Sequence, residues 1–231
     1  MYIHGDRFIG AVESEITHMN YEFDLLLSIS SIAKEKASEI VKNYKIEIDK
    51  LKQLDISERE EIENRELEQK IYNEFFTHAF HTPHLIIHSL LVSEYSAFET
   101  GLFQIAFRME SYCTNEIKIK DITKEQGEID RYRKYINLVH KIPSADSENS
   151  NWKNILIFQR IRNLIVHNSS TFKKDKTTST LIKFLNNYDT HIVRDHFFKI
   201  YDEQVLIDFK DSVMNFCSDI FNDILKIKVE N

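Results

Sequence analysis

An arginine, an asparagine beside it and a histidine five positions after the arginine, at 162, 163 and 167, are the residues of this 231-residue sequence whose types and spacing suit chemistry on a phosphate. Arg162 offers a permanently charged planar fork that matches phosphate oxygens. His167 titrates near neutrality and can act as general base or general acid, an effect worth roughly 10²- to 10⁴-fold. RNA carries its own nucleophile. When its 2′-hydroxyl attacks the adjacent phosphorus, the reaction needs a base for that proton, an acid for the leaving oxygen and a cation for the phosphorane, and no metal ion. Spacing sets a condition on this. Five residues along a helix advance roughly 7.5 Å and turn about 500°, so Arg162 and His167 do not stack on one face. Either His167 sits at a frayed helix end, before Asn168 and Ser169, or a second subunit brings its own pair alongside. An Arg and a His close to a helix C-terminus also complement the dipole and cap carbonyls without any catalysis.

Other residues bear on the same chemistry. Glu99 falls within an apolar helical stripe beside Tyr95, Phe98 and Leu102, where an unpaired carboxylate is costly, so it needs a partner. Either that partner is Arg162, which Glu99 would then orient, or Glu99 makes a structural salt bridge or is partly exposed. Arg160, Lys173 and Lys174 lie where they can grip an RNA backbone, a role that exposed lysines seldom fill specifically. His78, His81, His84 and His88 form a rival constellation, the last two spaced i, i+4 as in helical zinc pairs. With no cysteine near, no HExxH and Pro83 breaking the register, ordinary imidazoles are the better reading. No Walker loop, dinucleotide fingerprint or GxSxG elbow is present, and no cofactor is expected.

The run Arg162-Asn163-Leu164-Ile165-Val166-His167 resembles the Arg-x4-His motif of the HEPN superfamily, in which a polar residue commonly follows the arginine. The resemblance in helix order spans residues 84 to 225 and leaves the first 80 unexplained. It implies a HEPN-like helical bundle and a homodimer whose two Arg-His pairs line one cleft, with two histidines supplying acid and base. Asn163 would hold the imidazole or the phosphate. It further implies an endoribonuclease acting by 2′-OH transesterification, in a prokaryotic toxin or antiviral defence setting, restrained by an antitoxin or regulatory partner. A non-catalytic HEPN-like module binding nucleic acid, nucleotide or a partner protein is the alternative.

The elements that must position these residues read as helices. Residues 12 to 52 carry Ile16, Phe23, Leu26 or Leu27, Ile32, Ile40 and Ile48 at helical intervals. Ser57 and Glu60 have capping-box spacing and open a charged helix from 58 to 78, the two pairing as an antiparallel hairpin or arm. Pro83 marks a fresh start. From 84 to 111, Leu85, His88, Leu91, Tyr95, Phe98, Leu102, Ile105 and Met109 trace a core stripe. A connector at 121 to 127 and a helix at 128 to 140 follow. The polar run 143 to 151 supplies turns and a cap for the motif helix, expected from 151 or 152 to 167. Residues 168 to 180 read as a polar loop, 189 to 202 as a short hairpin around Arg194-Asp195, and 205 to 226 as a closing helix.

Composition agrees with a mainly α chain: four Gly and two Pro give few breaks. Its organisation reads as a helical extension over 1 to 82 and a helical domain over 83 to 231, or both packed as one. Cys113 and Cys217 are isolated, no signal segment opens the chain, and no apolar run approaches the ~20 residues of a membrane span, so a cytoplasmic protein without a membrane partner is expected. The net charge of -7 excludes a generally basic nucleic-acid coat. It is uneven, however. Residues 1 to 107 hold 10 Lys and Arg against 19 Asp and Glu, 108 to 183 hold 15 against 9, and 184 to 231 hold 5 against 9. The basic middle, which contains the motif, is where a phosphate backbone would be drawn.

Overall fold

The computed structural model describes residues 5–51, 58–113, 115–125, 127–172, 178–193 and 197–229. Among these the chain is mainly helical: α1 (Gly5–Leu51), α2 (Glu58–Phe76), α3 (Thr82–Tyr112), α4 (Glu128–Lys134), α5 (Ser150–Asn168), α6 (Thr178–Leu185) and α7 (Gln204–Val229), with one hairpin, β1 (Thr190–Val193) and β2 (Phe197–Ile200). The strands pair antiparallel with Thr190 opposite Ile200 and Val193 opposite Phe197, within the span expected for a hairpin. Its Arg194-Asp195 tip lies outside the described residues, as does Ser57 of the proposed capping box.

α1, α3, α5 and α7 form the bundle. α1 packs on α3 and α7, and α5 packs on the same two helices, which puts α1 and α5 at opposite corners. The helices meet at Phe209 of α7, whose ring lies 6.0 Å from Phe23 of α1, 6.2 Å from Phe98 and 6.3 Å from Tyr95 of α3, and 4.9 Å from Phe158 of α5. Such ring pairs contribute about 0.5–1.5 kcal/mol each beyond their burial. α1 begins earlier than its periodicity suggests, because Phe8 and Val12 are fully buried and join Met19 and Phe23 in the common core. Gly101 lets α1 and α3 approach: a Cβ there would meet Met19 Sδ at 2.9 Å. Arg108 then clamps the two helices through Glu15 at 2.9 Å.

Pro83 stands in the first turn of α3, the fresh start expected of it, but the chain does not leave helical conformation ahead of it. α2 and α3 form one continuous rod, joined by a π-helical turn over Thr77–His81. Proline lacks an N–H and its ring collides with the carbonyl four residues back, and the wider turn opens the backbone just ahead of it. The second half of α1 runs beside this rod, with the Tyr44 hydroxyl donating to Glu74 at 2.6 Å. The helix expected over 128 to 140 also widens, into a π-turn at Tyr135–Val139. α6 falls partly in the expected loop. Leu181 and Leu185 are buried there and draw the chain back onto the core.

Candidate active site

α5 starts where Asn149 caps it, accepting from the amides of Asn151 at 2.9 Å and Trp152 at 3.1 Å. The helix buries Trp152, Ile155, Phe158 and Ile161, and this face decides how the following residues point. Arg162 is half-buried, whereas Asn163, Val166, His167 and Asn168 are exposed. The Arg162 guanidinium lies over the Tyr95 ring of α3, 5.2 Å from its centroid, and Nη1 donates to Asn163 Oδ1 at 3.0 Å. Its Nε–H is buried with no hydrogen-bond partner among the described residues. An unmet buried donor costs about 1–3 kcal/mol, and an incoming anion would relieve that once the guanidinium shifts to expose Nε.

Tyr95 is the platform that sequence reading assigned only to the core. Burial, reinforced by the Glu99 carboxylate, raises its pKa, so the phenol stays protonated, with Gln159 as its hydrogen-bond partner. Glu99 is half-buried and its charge also reaches Tyr132. No ion pair within 4.0 Å joins it to Arg162 among the described residues, so the two share Tyr95 as a neighbour without touching. The deeply buried carboxylate of α3 is Glu94 instead, one position before Tyr95, with both oxygens lacking hydrogen bonds. A spacing of three from Leu91 is the signal that could have found it.

α5 stays helical through Asn168, which removes the frayed-end remedy for the Arg162–His167 spacing. The two side chains remain about 140° apart around the helix. Beyond the helix Ser169 and Ser170 adopt left-handed backbone, φ 49° and 61°, and both amides turn back to the Leu164 carbonyl. Ser170 is then fastened. Its carbonyl accepts from Phe198 N at 3.0 Å, and its hydroxyl lies 3.2 Å from His88 Nδ1. The Ile200 amide donates to His88 Nε2 at 3.2 Å, so Nε2 carries no proton and Nδ1–H is the donor to Ser170. His88 therefore ties α3, β2 and the end of the motif helix together.

That assignment answers the histidine constellation. His88 has both nitrogens engaged and is 4% exposed, and burial lowers its pKa to about 4. His84 is buried against His88, His81 and Tyr201, while His78 stacks on Tyr44 of α1. Among the described residues no three His, Cys, Asp or Glu side chains are placed to hold a metal ion. Leu85, expected in the core stripe, is 56% exposed. It lines a groove of about 500 Å³ with Ser89, Val92, Ile165, Ser169 and Phe197, at the end of α5 next to the motif. Val166, 47% exposed, adds a further apolar side chain to this end of the helix. Arg160 is half-buried on α5, and Lys173 and Lys174 lie outside the described residues.

No protein-family model matches the chain, and neither a curated protein nor a solved structure matches it significantly. No helix among the described residues is long and apolar enough to cross a membrane.

Proposed function

We propose that the chain is a metal-independent endoribonuclease of the HEPN type, acting in the cytoplasm as a homodimer built on the α5 face. The observation that carries this reading is Arg162 with its unmet Nε–H, on the same regular helix that exposes His167 five residues later. One copy holds these groups on different sides of α5, so one phosphate meets a full set only when a second copy contributes. The exposed Leu85 and Val166 beside them supply apolar surface for that copy. In the shared cleft one His167 takes the proton from the 2′-hydroxyl as the O2′–P bond forms. The other protonates the 5′-oxygen as the P–O5′ bond breaks, leaving a 2′,3′-cyclic phosphate and a 5′-hydroxyl. Arg162 neutralises the phosphorane and Asn163 orients Arg162. A toxin or defence role, with an antitoxin-like partner, belongs to the same reading.

The test is incubation of a mixed RNA pool with wild type and His167→Ala in EDTA, with product ends mapped. Cyclic phosphate ends made by wild type and not by the variant support the enzyme, and intact RNA at all enzyme concentrations overturns it. One observation favours the alternative of a non-catalytic module: the Arg162 guanidinium is already stacked on Tyr95 and hydrogen-bonded to Asn163. That module would bind RNA equally well after His167→Ala.

A further inference from the structure

On the far corner of the bundle, α1 carries an apolar stripe that nothing among the described residues covers. Tyr21, Leu25, Ile29 and Ile32 are 65, 50, 44 and 65% exposed. At about 100° per residue they fall within an arc of roughly 80°, nearly opposite the buried face of Phe8, Val12, Met19, Phe23 and Ser30. Residues 25 to 32, LLLSISSI, contain no charge at all. A monomer's largest apolar patch is about 300–600 Å² and is often functional, and four half-exposed large side chains in one row reach that range.

The charges around the stripe choose its occupant. Residues 6 to 24 hold five acids and one arginine, Asp6, Glu13, Glu15, Glu22 and Asp24 against Arg7; Glu15 and Asp24 are paired with Arg108 and Lys210 of the same chain, and the other three acids still outnumber the arginine. Residues 33 to 51 hold five lysines and four acids. A parallel copy would set the acidic half on itself. An antiparallel copy, with its two-fold axis near residues 26 and 27, sets the acidic half of each α1 against the weakly basic half of the other and the uncharged stretches face to face. The acidic flank equally opposes docking on an anionic membrane or a nucleic acid. Because the stripe runs about 17 Å along the helix, one stripe on another brings the flanking Ser28, His18 and Lys36 into the contact and approaches the ~800 Å² per partner of a stable interface.

We infer that the α1 stripe is a second self-association surface, where two copies pair antiparallel through Tyr21, Leu25, Ile29 and Ile32. It lies diagonally across the bundle from α5, so it is distinct from the dimer proposed to cleave RNA. Both contacts can form at once, and two different two-fold contacts on one chain build assemblies larger than a dimer.

The experiment is light scattering on wild type, the stripe variant Leu25→Asp/Ile32→Asp, and the α5-face variant Leu85→Asp/Val166→Asp, with circular dichroism confirming helicity. The stripe variant is expected to halve the mass of the wild-type assembly or better, while keeping whatever activity the wild type has. Unchanged mass in a folded stripe variant overturns the inference and leaves the α5 reading untouched, which the third variant addresses separately. Should the double variant unfold, Ser28→Cys and Lys45→Cys decide through a short bismaleimide. Antiparallel pairing links Ser28→Cys into covalent dimers and not Lys45→Cys, and equal linking of both, or of neither, overturns it.

Discussion

Two arginines of this chain sit over aromatic rings, and their surroundings differ in the respect that separates framework from function. Arg133 of α4 is 6% exposed and lies 5.3 Å above Trp152. Its Nε and Nη2 donate to Asp130 Oδ1 at 3.2 and 2.8 Å, and Nη1 donates to the Ala145 carbonyl at 2.9 Å. Arg162 has the same kind of platform in Tyr95, but its one side-chain hydrogen bond among the described residues goes to its own neighbour Asn163, and Nε is left without a partner. A guanidinium whose three nitrogens each donate inside the protein holds the fold. One with donors in reserve has something left to offer an anion. The histidines divide in the same way. His88 engages both nitrogens within the structure, and His167 stands in solvent at the end of α5.

The largest expected effect is on activity. His167→Ala should lower RNA cleavage by about 10²- to 10⁴-fold while leaving the melting temperature nearly unchanged, because an exposed side chain contributes little to stability. Parallel single-turnover rates and thermal melts check both halves, and a large loss of stability would make His167 a framework residue.

Next comes the contrast between the arginines. Arg133→Met leaves the buried Asp130 with Lys134, 3.2 Å from its Oδ2, as its remaining cation and should cost up to about 3–5 kcal/mol by urea unfolding, whereas Arg162→Met should cost roughly 1 kcal/mol, the value of a partly exposed cation–π contact. Equal costs at the two positions would erase the distinction.

Stability against pH gives the third test. Burial holds His88 and His140 down at about 4, from 6.5, so the unfolded chain takes up protons that the folded one refuses as pH falls from 6.5 towards 4. Burial pushes Glu94 up to about 9, from 4.5, so the unfolded chain releases a proton that the folded one keeps as pH rises from 4.5 towards 9. Two histidines outweigh one carboxyl below pH 6.5 and the carboxyl acts alone above it, which places maximum stability between about pH 6 and 7. Glu94→Gln should abolish the alkaline decline. Urea unfolding at pH 4 to 9 measures this, and an unchanged decline in the variant would assign it elsewhere.

The smallest effect concerns the fastening at the end of α5. Ser170→Ala leaves the buried His88 Nδ1–H without its acceptor and should cost about 1–3 kcal/mol. Faster amide exchange at Ser169 and Ser170, with little change in the middle of α5, is the expected signature.

Much of this was legible in the sequence where one physical rule dominates. The stripe of α3, the Asn149 cap region, the hairpin and the closing helix follow from periodicity and turn chemistry, which act over a few residues. The continuity of helix ahead of Pro83 and the start of α6 at Thr178, inside the expected loop, were not legible because tertiary context overrode local preference. Proline was accommodated by a π-turn, and Leu181 and Leu185 recruited a polar stretch to the core. At the candidate site the motif was visible as a spacing, but Tyr95 beneath Arg162 and His88 behind Ser170 were not. These contacts join residues 67 and 82 positions apart, and nothing in a short window encodes them.

The fastening also sets an order in time. His88 is joined to Ser170 and to Ile200, 82 and 112 positions later. On a ribosome adding about 5–20 residues per second, roughly 6 to 22 seconds pass between synthesis of His88 and of Ile200. For the last part of that interval α5, with Arg162 and His167, already exists while the strand that secures its end does not. The newborn chain thus acquires its motif helix before it acquires the means to hold it still.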